Sequence, residues 1–353
     1  MILINGNFLC RNLTGIERFA FETCKKMDSI ISKDDEISLL VPANAKKIPE
    51  YKNIRLVFSS KKIKSFPLWD MGTFALACKK LKATGLNFSN TAPLGKSCGF
   101  AFLHDIYAAT HGEDFVSFKD NLIKLYCRFS YRNIAKNAKT VLTVSEFSKS
   151  EIKKVYKVLD EKIKVIPNGW DHFKNLKSDG GIFEKFPKLK EKEFYFTLGS
   201  LSKRKNLKWI ADYASKHADE TFAVSGKAIS GLVPAELESL KNLENVVLLG
   251  YVTDGEVKSL MEKCKAFVFP SYYEGFGIPP LEALSSGAKI VVSNAASLPE
   301  IYQKTAHYID PFSTDCNFEE ILKEETDSPC EILEKYTYEN AAKKLLEALR
   351  TSK

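Results

Sequence analysis

Ala266-Phe267-Val268-Phe269-Pro270-Ser271-Tyr272-Tyr273-Glu274-Gly275-Phe276-Gly277-Ile278-Pro279-Pro280-Leu281-Glu282-Ala283-Leu284 runs from an apolar strand, through a turn with glycines on both sides of Phe276, into a helix opening on two prolines. Prolines in a first helical turn cost no hydrogen bond, because those amides have no partner within the helix. The helix closes on Ser285-Ser286-Gly287. This reading places Glu274 in the loop just before the helix and Glu282, eight positions on, within its first turns. The amides of Phe276, Gly277 and Ile278 are expected to face the same space. An acid beside open backbone donors suits a polyhydroxylated, anionic ligand such as a nucleotide sugar.

Working outward, short β-branched and aromatic runs alternate with helix-length amphipathic segments. They fall at 2–4, 37–41, 54–58, 86–88, 100–104, 141–144 and 165–166, then at 194–198, 222–224, 246–249, 267–269, 290–292 and 308–309. Near-continuous apolar strands separated by helices imply parallel sheets covered on both faces. The pattern breaks at 171–193, where Ser178-Asp179-Gly180-Gly181 and a lysine-rich stretch predict a hinge between two α/β domains. Ser148-Lys149-Ser150-Glu151 reads as a capping box opening a helix. A last helix from about Thr337 carries Ala341, Leu345 and Leu349 at a spacing of four, and that stripe needs a surface to pack on.

At 353 residues the chain has room for two cores. No apolar run approaches the ~18 residues of a membrane-spanning helix. Met1-Ile2-Leu3-Ile4 goes straight into a strand-like run without a basic leader. The eight cysteines include no C-x-x-C pair and read as free thiols of a reducing cytosol. Charge is uneven: residues 1–170 hold 28 Lys+Arg against 16 Asp+Glu, or +12, and residues 171–353 hold 24 against 28, or −4. Such a split fits an anionic partner for the first half, or equally a solvated, lysine-rich surface.

Gly199-Ser200-Leu201-Ser202-Lys203-Arg204-Lys205-Asn206 follows the first strand of the second half and leads into a helix. Consecutive cations repel each other at the positive end of a helix dipole, and a bound diphosphate reverses that balance. A cation within about 4 Å of a phosphate oxygen can contribute a few kcal/mol at an intermediate dielectric. A solvated charge run is the plainer reading. His104-Asp105 ends an apolar strand, and strand carboxyl ends are where doubly wound sheets bind ligands. Thr14-Gly15-Ile16-Glu17-Arg18-Phe19 opens the first long helix, with Ile16, Phe19, Ala20, Cys24 and Met27 as its core face, and can be a plain helix start. The sequence contains no D-x-D, no H-x-x-x-H and no G-x-G-x-x-G after a strand, so no metal site or dinucleotide fingerprint is expected.

The Glu274/Glu282 spacing, the Arg204-Lys205-Asn206 loop and the His104-Asp105 pair together resemble the retaining glycosyltransferases of family 4, and the resemblance runs from Gly15 to the final helix. It implies a GT-B fold: two Rossmann-like, doubly wound domains facing across a cleft, the final helix crossing back to the first. The boundaries expected are 1–172 with 336–353 for an acceptor domain, and 173–335 for a nucleotide-sugar domain. By resemblance, Glu282 holds the ribose hydroxyls, while Glu274 and the amides of Phe276, Gly277 and Ile278 hold the sugar. Arg204 and Lys205 bind the diphosphate, and His104 reaches the donor sugar and supports charge at its anomeric carbon. Ser200 stands where some members carry an arginine. Asn206, Gly226 and Lys227 lie near the nucleotide, and the backbone around Tyr251 and Val252 receives the base. Gly15 approaches the donor, with Glu17 in place of a second family glycine.

The implied reaction is metal-independent, retaining transfer of a hexose or deoxyhexose to a saccharide or polyprenyl-diphosphate-linked acceptor, with no cofactor. Glu-Gly-Phe-Gly-Ile-Pro-Pro-Leu-Glu-Ala resembles bacterial mannosyl- and rhamnosyltransferases of surface-polysaccharide synthesis, favouring GDP-mannose or a deoxyhexose donor. The expected location is the cytoplasm, at the inner membrane face, with peripheral contact to anionic lipid and no nucleic-acid partner. Two other classes share the architecture: a sugar-nucleotide epimerase, and a non-catalytic sugar-binding protein that would have no need of the Arg-Lys loop.

Overall fold

The structure, a computed structural model, describes residues 1–13, 15–199, 202–226 and 235–351. It divides into two units, Met1–Gly169 with Tyr336–Lys353, and Trp170–Lys335. The first contains a seven-stranded parallel sheet of β1 (Ile2–Asn5), β2 (Ile37–Val41), β3 (Arg55–Phe58), β4 (Thr84–Asn87), β5 (Phe100–Phe102), β6 (Thr140–Thr143) and β7 (Ile163–Val165). Its order is β3-β2-β1-β4-β5-β6-β7. The second contains six parallel strands: β8 (Phe194–Leu198), β9 (Thr221–Ser225), β10 (Val246–Gly250), β11 (Ala266–Phe269), β12 (Ile290–Ser293) and β13 (His307–Ile309), in the order β10-β9-β8-β11-β12-β13. Each sheet reverses direction of growth beside its own first strand, so both units are Rossmann-like. Ile4 pairs with Leu39 and Leu86 in one sheet, and Phe267 with Phe196 and Ile290 in the other. All these residues are buried, as expected for sheets covered on both faces.

The first long helix, Gly15–Ile30, lays Phe19, Ala20, Cys24 and Met27 against Phe88 and Phe102. Ala341, Leu345 and Leu349 of the final helix, Tyr338–Thr351, join the same core. Their stripe therefore completes the first unit.

Four local expectations are corrected. Ile16 is only half-buried, and the buried neighbour is Glu17, whose charge is met by Arg11 Nη1 at 3.1 Å. The helix at 146–156 is capped by Ser145, whose Oγ accepts the Ser148 amide at 3.0 Å. Ser148 thus sits inside that helix rather than starting it, and its Oγ donates to the His104 carbonyl at 3.0 Å. The segment 171–193 belongs to the second unit rather than lying between the two: Phe173, Ile182 and Leu189 are buried there, and the Asp179 amide donates to Gly255 O at 3.0 Å. The chain changes units at Gly169–Trp170. Lastly, β5 ends at Phe102, which leaves His104 in the following loop.

Candidate functional site

In the second unit, β8 runs out into Gly199. Ser200 lies outside the described residues, as do Thr14 and Lys227. Lys203–Lys205 then forms a single 3-10 turn, ended by Asn206 in the left-handed conformation (φ 57°). The Asn206 side-chain amide donates to Pro270 O (3.1 Å) and Pro311 O (2.7 Å), and the Tyr272 amide donates to Arg204 O (3.1 Å). These bonds fasten the cationic turn to the loop that carries Glu274.

The side chains meet as a result. Lys205 Nζ stands 2.5 Å from Glu274 Oε1, and Arg204 Nη1 stands 3.9 Å from Oε2. Glu274 is 6% exposed. Burial alone would push its carboxyl up, but the charges of Lys205 and Arg204 outweigh that and hold it below the usual carboxylate range. Lys205 Nζ also lies 4.7 Å from the centre of the Phe269 ring. The repulsion read from sequence is thus partly offset for two of the three cations, because a protein carboxylate stands beside them.

The Glu274 loop is held from behind by the helix Leu298–Tyr302 and the residue before it. Ser297 Oγ donates to Glu274 O (3.0 Å) and Phe276 O (3.1 Å), and the Tyr302 hydroxyl donates to Gly277 O. In a trans peptide the carbonyl and the next amide point oppositely. The amides of Gly275, Gly277 and Ile278 therefore point away from Ser297 and Tyr302. Gly277 takes φ 86°, and a Cβ there would come within 2.6 Å of Leu298 Cδ2. Neither Ser297 nor Tyr302 stands out in the sequence as a support for this loop.

Glu282, in the short helix Pro279–Ser285, meets a residue that spacing could not reveal: His172 Nε2 is 3.1 Å from Glu282 Oε1, with both side chains buried. Nearby strand ends meet through the Gly199 amide on Ser225 O (3.1 Å) and the Gly226 amide on Gly250 O (3.3 Å). Val252 is buried and Tyr251 is exposed.

In the first unit, the His104 ring stacks on Phe102 (5.2 Å) and meets Phe19 edge-on (5.3 Å). Burial lowers its pKa from the ordinary 6.5, against the opposing pull of the Phe88 carbonyl. The ring is therefore neutral at pH 7, Nε2–H donates to Phe88 O at 2.7 Å, and Nδ1 is left as an acceptor. Gly15 opens its helix with open space around it, since a Cβ there would meet nothing within 4 Å. At the ends of β1 and β4 sits a buried polar cluster that sequence reading missed. Asn5 (2.8 Å), Asn7 (3.2 Å) and Thr91 (2.7 Å) all donate to Asp70, whose carboxyl burial pushes up. Among the described residues, no three His, Cys, Asp or Glu side chains are grouped as a metal would need.

The family model for glycosyl transferases group 1 matches residues 180–345, and that for glycosyltransferase family 4 matches 13–172. The O-antigen chain mannosyltransferase RfbU of Salmonella typhimurium is 33% identical over 213 residues, 59% of this chain and 56% of the relative. The O-antigen chain mannosyltransferase B of Escherichia coli is 29% identical, over 56% of this chain and 54% of the relative. The chain thus spans about half the length of the curated relatives it matches. The solved structure of HepE from Anabaena with UDP and glucose superposes over 99% of both chains with a TM-score of 0.69, at 17% identity. That likeness concerns the GT-B fold.

Proposed function

Because the chain belongs to the family 4 glycosyltransferases, we propose that it moves a hexose or deoxyhexose from a nucleotide sugar to a saccharide or polyprenyl-diphosphate-linked acceptor in surface-polysaccharide synthesis. The reaction proposed is retaining and metal-independent. The observation that carries the proposal is the buried Lys205–Glu274 pair at 2.5 Å with Arg204 beside it. Two cations tied to an acid offer both things the donor asks for: positive charge for a departing diphosphate and an acceptor for sugar hydroxyls. The mannosyl activity named for two relatives supports GDP-mannose as the first donor to try.

An ion-paired Glu274 is a poor free nucleophile, so the proposed route avoids a covalent carboxylate intermediate. The acceptor oxygen attacks the anomeric carbon as the bond to phosphate breaks on the same face, and a donor phosphate oxygen takes the acceptor's proton. Glu274 and the amides of Gly277 and Ile278 hold the sugar, with Phe276 beside them. Glu282 holds the ribose, Gly226 lies near the nucleotide, and the backbone around Tyr251 and Val252 receives the base. His104 offers Nδ1 to a sugar hydroxyl. The test is product analysis with GDP-mannose, UDP-glucose and dTDP-rhamnose, with and without a lipid-linked acceptor. Transfer needing an acceptor supports the proposal; donor conversion without one points to an epimerase.

For the first unit we propose contact with the inner face of an anionic membrane. Among the described residues, sixteen large apolar side chains are exposed on the first unit and only Tyr251 and Phe312 on the second. Phe118, Leu122, Leu125 and Phe129 form one stripe along the helix Phe118–Asn137, and residues 115–139 carry six Lys+Arg against one Asp. A stripe of that kind beside cations suits shallow insertion among acidic headgroups. Leu122→Glu with Leu125→Glu is expected to abolish co-sedimentation with vesicles rich in phosphatidylglycerol. Retained binding, or equal binding to neutral vesicles, counts against the contact.

A further inference from the structure

Glu282 is held at both its main chain and its side chain. Its carbonyl accepts from Ser285 Oγ (2.7 Å) and Ser286 Oγ (2.9 Å), and its carboxylate meets His172. An ionised carboxylate only accepts hydrogen bonds, so in this contact His172 Nε2–H is the donor. One carboxylate oxygen is thereby committed, and Oε2 is the atom left to take a ligand hydroxyl.

His172 is itself presented by a pinned segment. Trp170 Nε1 donates to Leu333 O at 2.8 Å, the Phe173 amide donates to Trp170 O at 2.8 Å, and Lys258 Nζ donates to Leu176 O at 2.8 Å. The neighbouring Phe173 is buried, its ring edge-on to the imidazole at 6.0 Å. These anchors fix the backbone from which the imidazole reaches Glu282. Its place in the chain also matters, because it is the third residue after the chain leaves the first unit at Gly169.

We propose that His172 is a positioning residue for nucleotide binding, fixing the Glu282 carboxylate in advance so that Oε2 meets a ribose hydroxyl of the donor. The inference rests on the reading of Glu282 as the ribose-holding acid. Its physical basis is preorganisation: a glutamate already locked in one rotamer loses less freedom when the ligand arrives. Because every nucleotide-sugar donor carries a pentose 3′-hydroxyl, on ribose or on the 2′-deoxyribose of a dTDP donor, the role is independent of the base.

The test compares wild type, His172→Phe, His172→Gln, Glu282→Ala and the double variant His172→Phe/Glu282→Ala in the full chain. Phenylalanine keeps the ring's bulk and deletes the donor; glutamine keeps a donor. Dissociation constants are measured by calorimetry for whichever of GDP, UDP and dTDP binds wild type most tightly. His172→Phe is expected to weaken binding about tenfold, the scale of one hydrogen bond to a charged group. It should raise KM by a similar factor and leave kcat within about twofold, and His172→Gln should recover most of the affinity. The double variant should bind no more weakly than Glu282→Ala alone, since the two residues act through one contact.

Wild-type affinity in His172→Phe, multiplicative losses in the double variant, or a fall in kcat at unchanged KM would each overturn the inference while leaving the ribose reading intact. Wild-type affinity in Glu282→Ala would overturn the ribose reading, and the inference with it.

Discussion

Lys205→Ala is expected to lower transfer at least about a hundredfold, the scale of losing one preorganised transition-state contact. Two losses coincide. The departing diphosphate loses its nearest cation, and Glu274 loses the partner 2.5 Å away that keeps it ionised although it is almost wholly buried. A buried carboxylate deprived of its counter-charge costs about 3–5 kcal/mol or takes up a proton instead, and Arg204, at 3.9 Å, is a weaker substitute. The variant should therefore melt at a lower temperature as well as turn over slowly. Glu274→Gln in the same background separates the two effects. It relieves the unpaired charge, so stability should return towards wild type while transfer stays low. Near-normal turnover of purified Lys205→Ala would remove the diphosphate role altogether.

Gly169→Ala is expected to destabilise the first unit strongly, by about 3 kcal/mol or more. The added Cβ would lie 2.2 Å from the Tyr338 amide nitrogen and 2.6 Å from the Thr337 carbonyl carbon. Both are backbone atoms, so no rotamer change relieves the overlap. Either the backbone at Gly169 or the start of the final helix has to move, and Tyr338, Ala341 and Leu345 leave the first core together. For a unit of this size each kcal/mol shifts the midpoint by about 2–4 °C, so calorimetry should show a drop of roughly 6–12 °C in one transition. Gly15→Ala is the control, because a Cβ at Gly15 meets nothing within 4 Å. A Gly169→Ala protein melting as wild type would mean that the helix docks without this close approach.

What the sequence made legible follows from the range of the signals. Apolar strands such as Phe194–Leu198 and Ile290–Ser293 announce themselves because both faces of a central parallel strand are buried. The turn from Glu274 to the prolines was legible for a local reason, since glycine and proline restrict the backbone wherever they occur. Pairings across long separations left no such trace. Nothing near Glu274 foretells that Lys205, 69 residues earlier, takes its charge, and nothing near Glu282 points to His172. Capping was misread by three residues because Ser145 and Ser148 are equally good caps on composition, and only the end of β6 at Thr143 decides between them. The lysine-rich stretch at 171–193 looked like a linker because its few anchors, Phe173, Ile182 and Leu189, are widely spaced among charges.

The docking of residues 338–351 against the first long helix has a consequence for how the protein is made. Synthesis runs from the amino end, so the seven strands of the first sheet leave the ribosome before the second unit, while the helix that completes their core leaves after it. Until then Phe19, Cys24 and Met27 lack their cover, although the second sheet can already close. The newborn first unit waits, sticky and unfinished, for its own tail, and a chaperone or an early stop codon would act on the amino-terminal half through the carboxyl-terminal one.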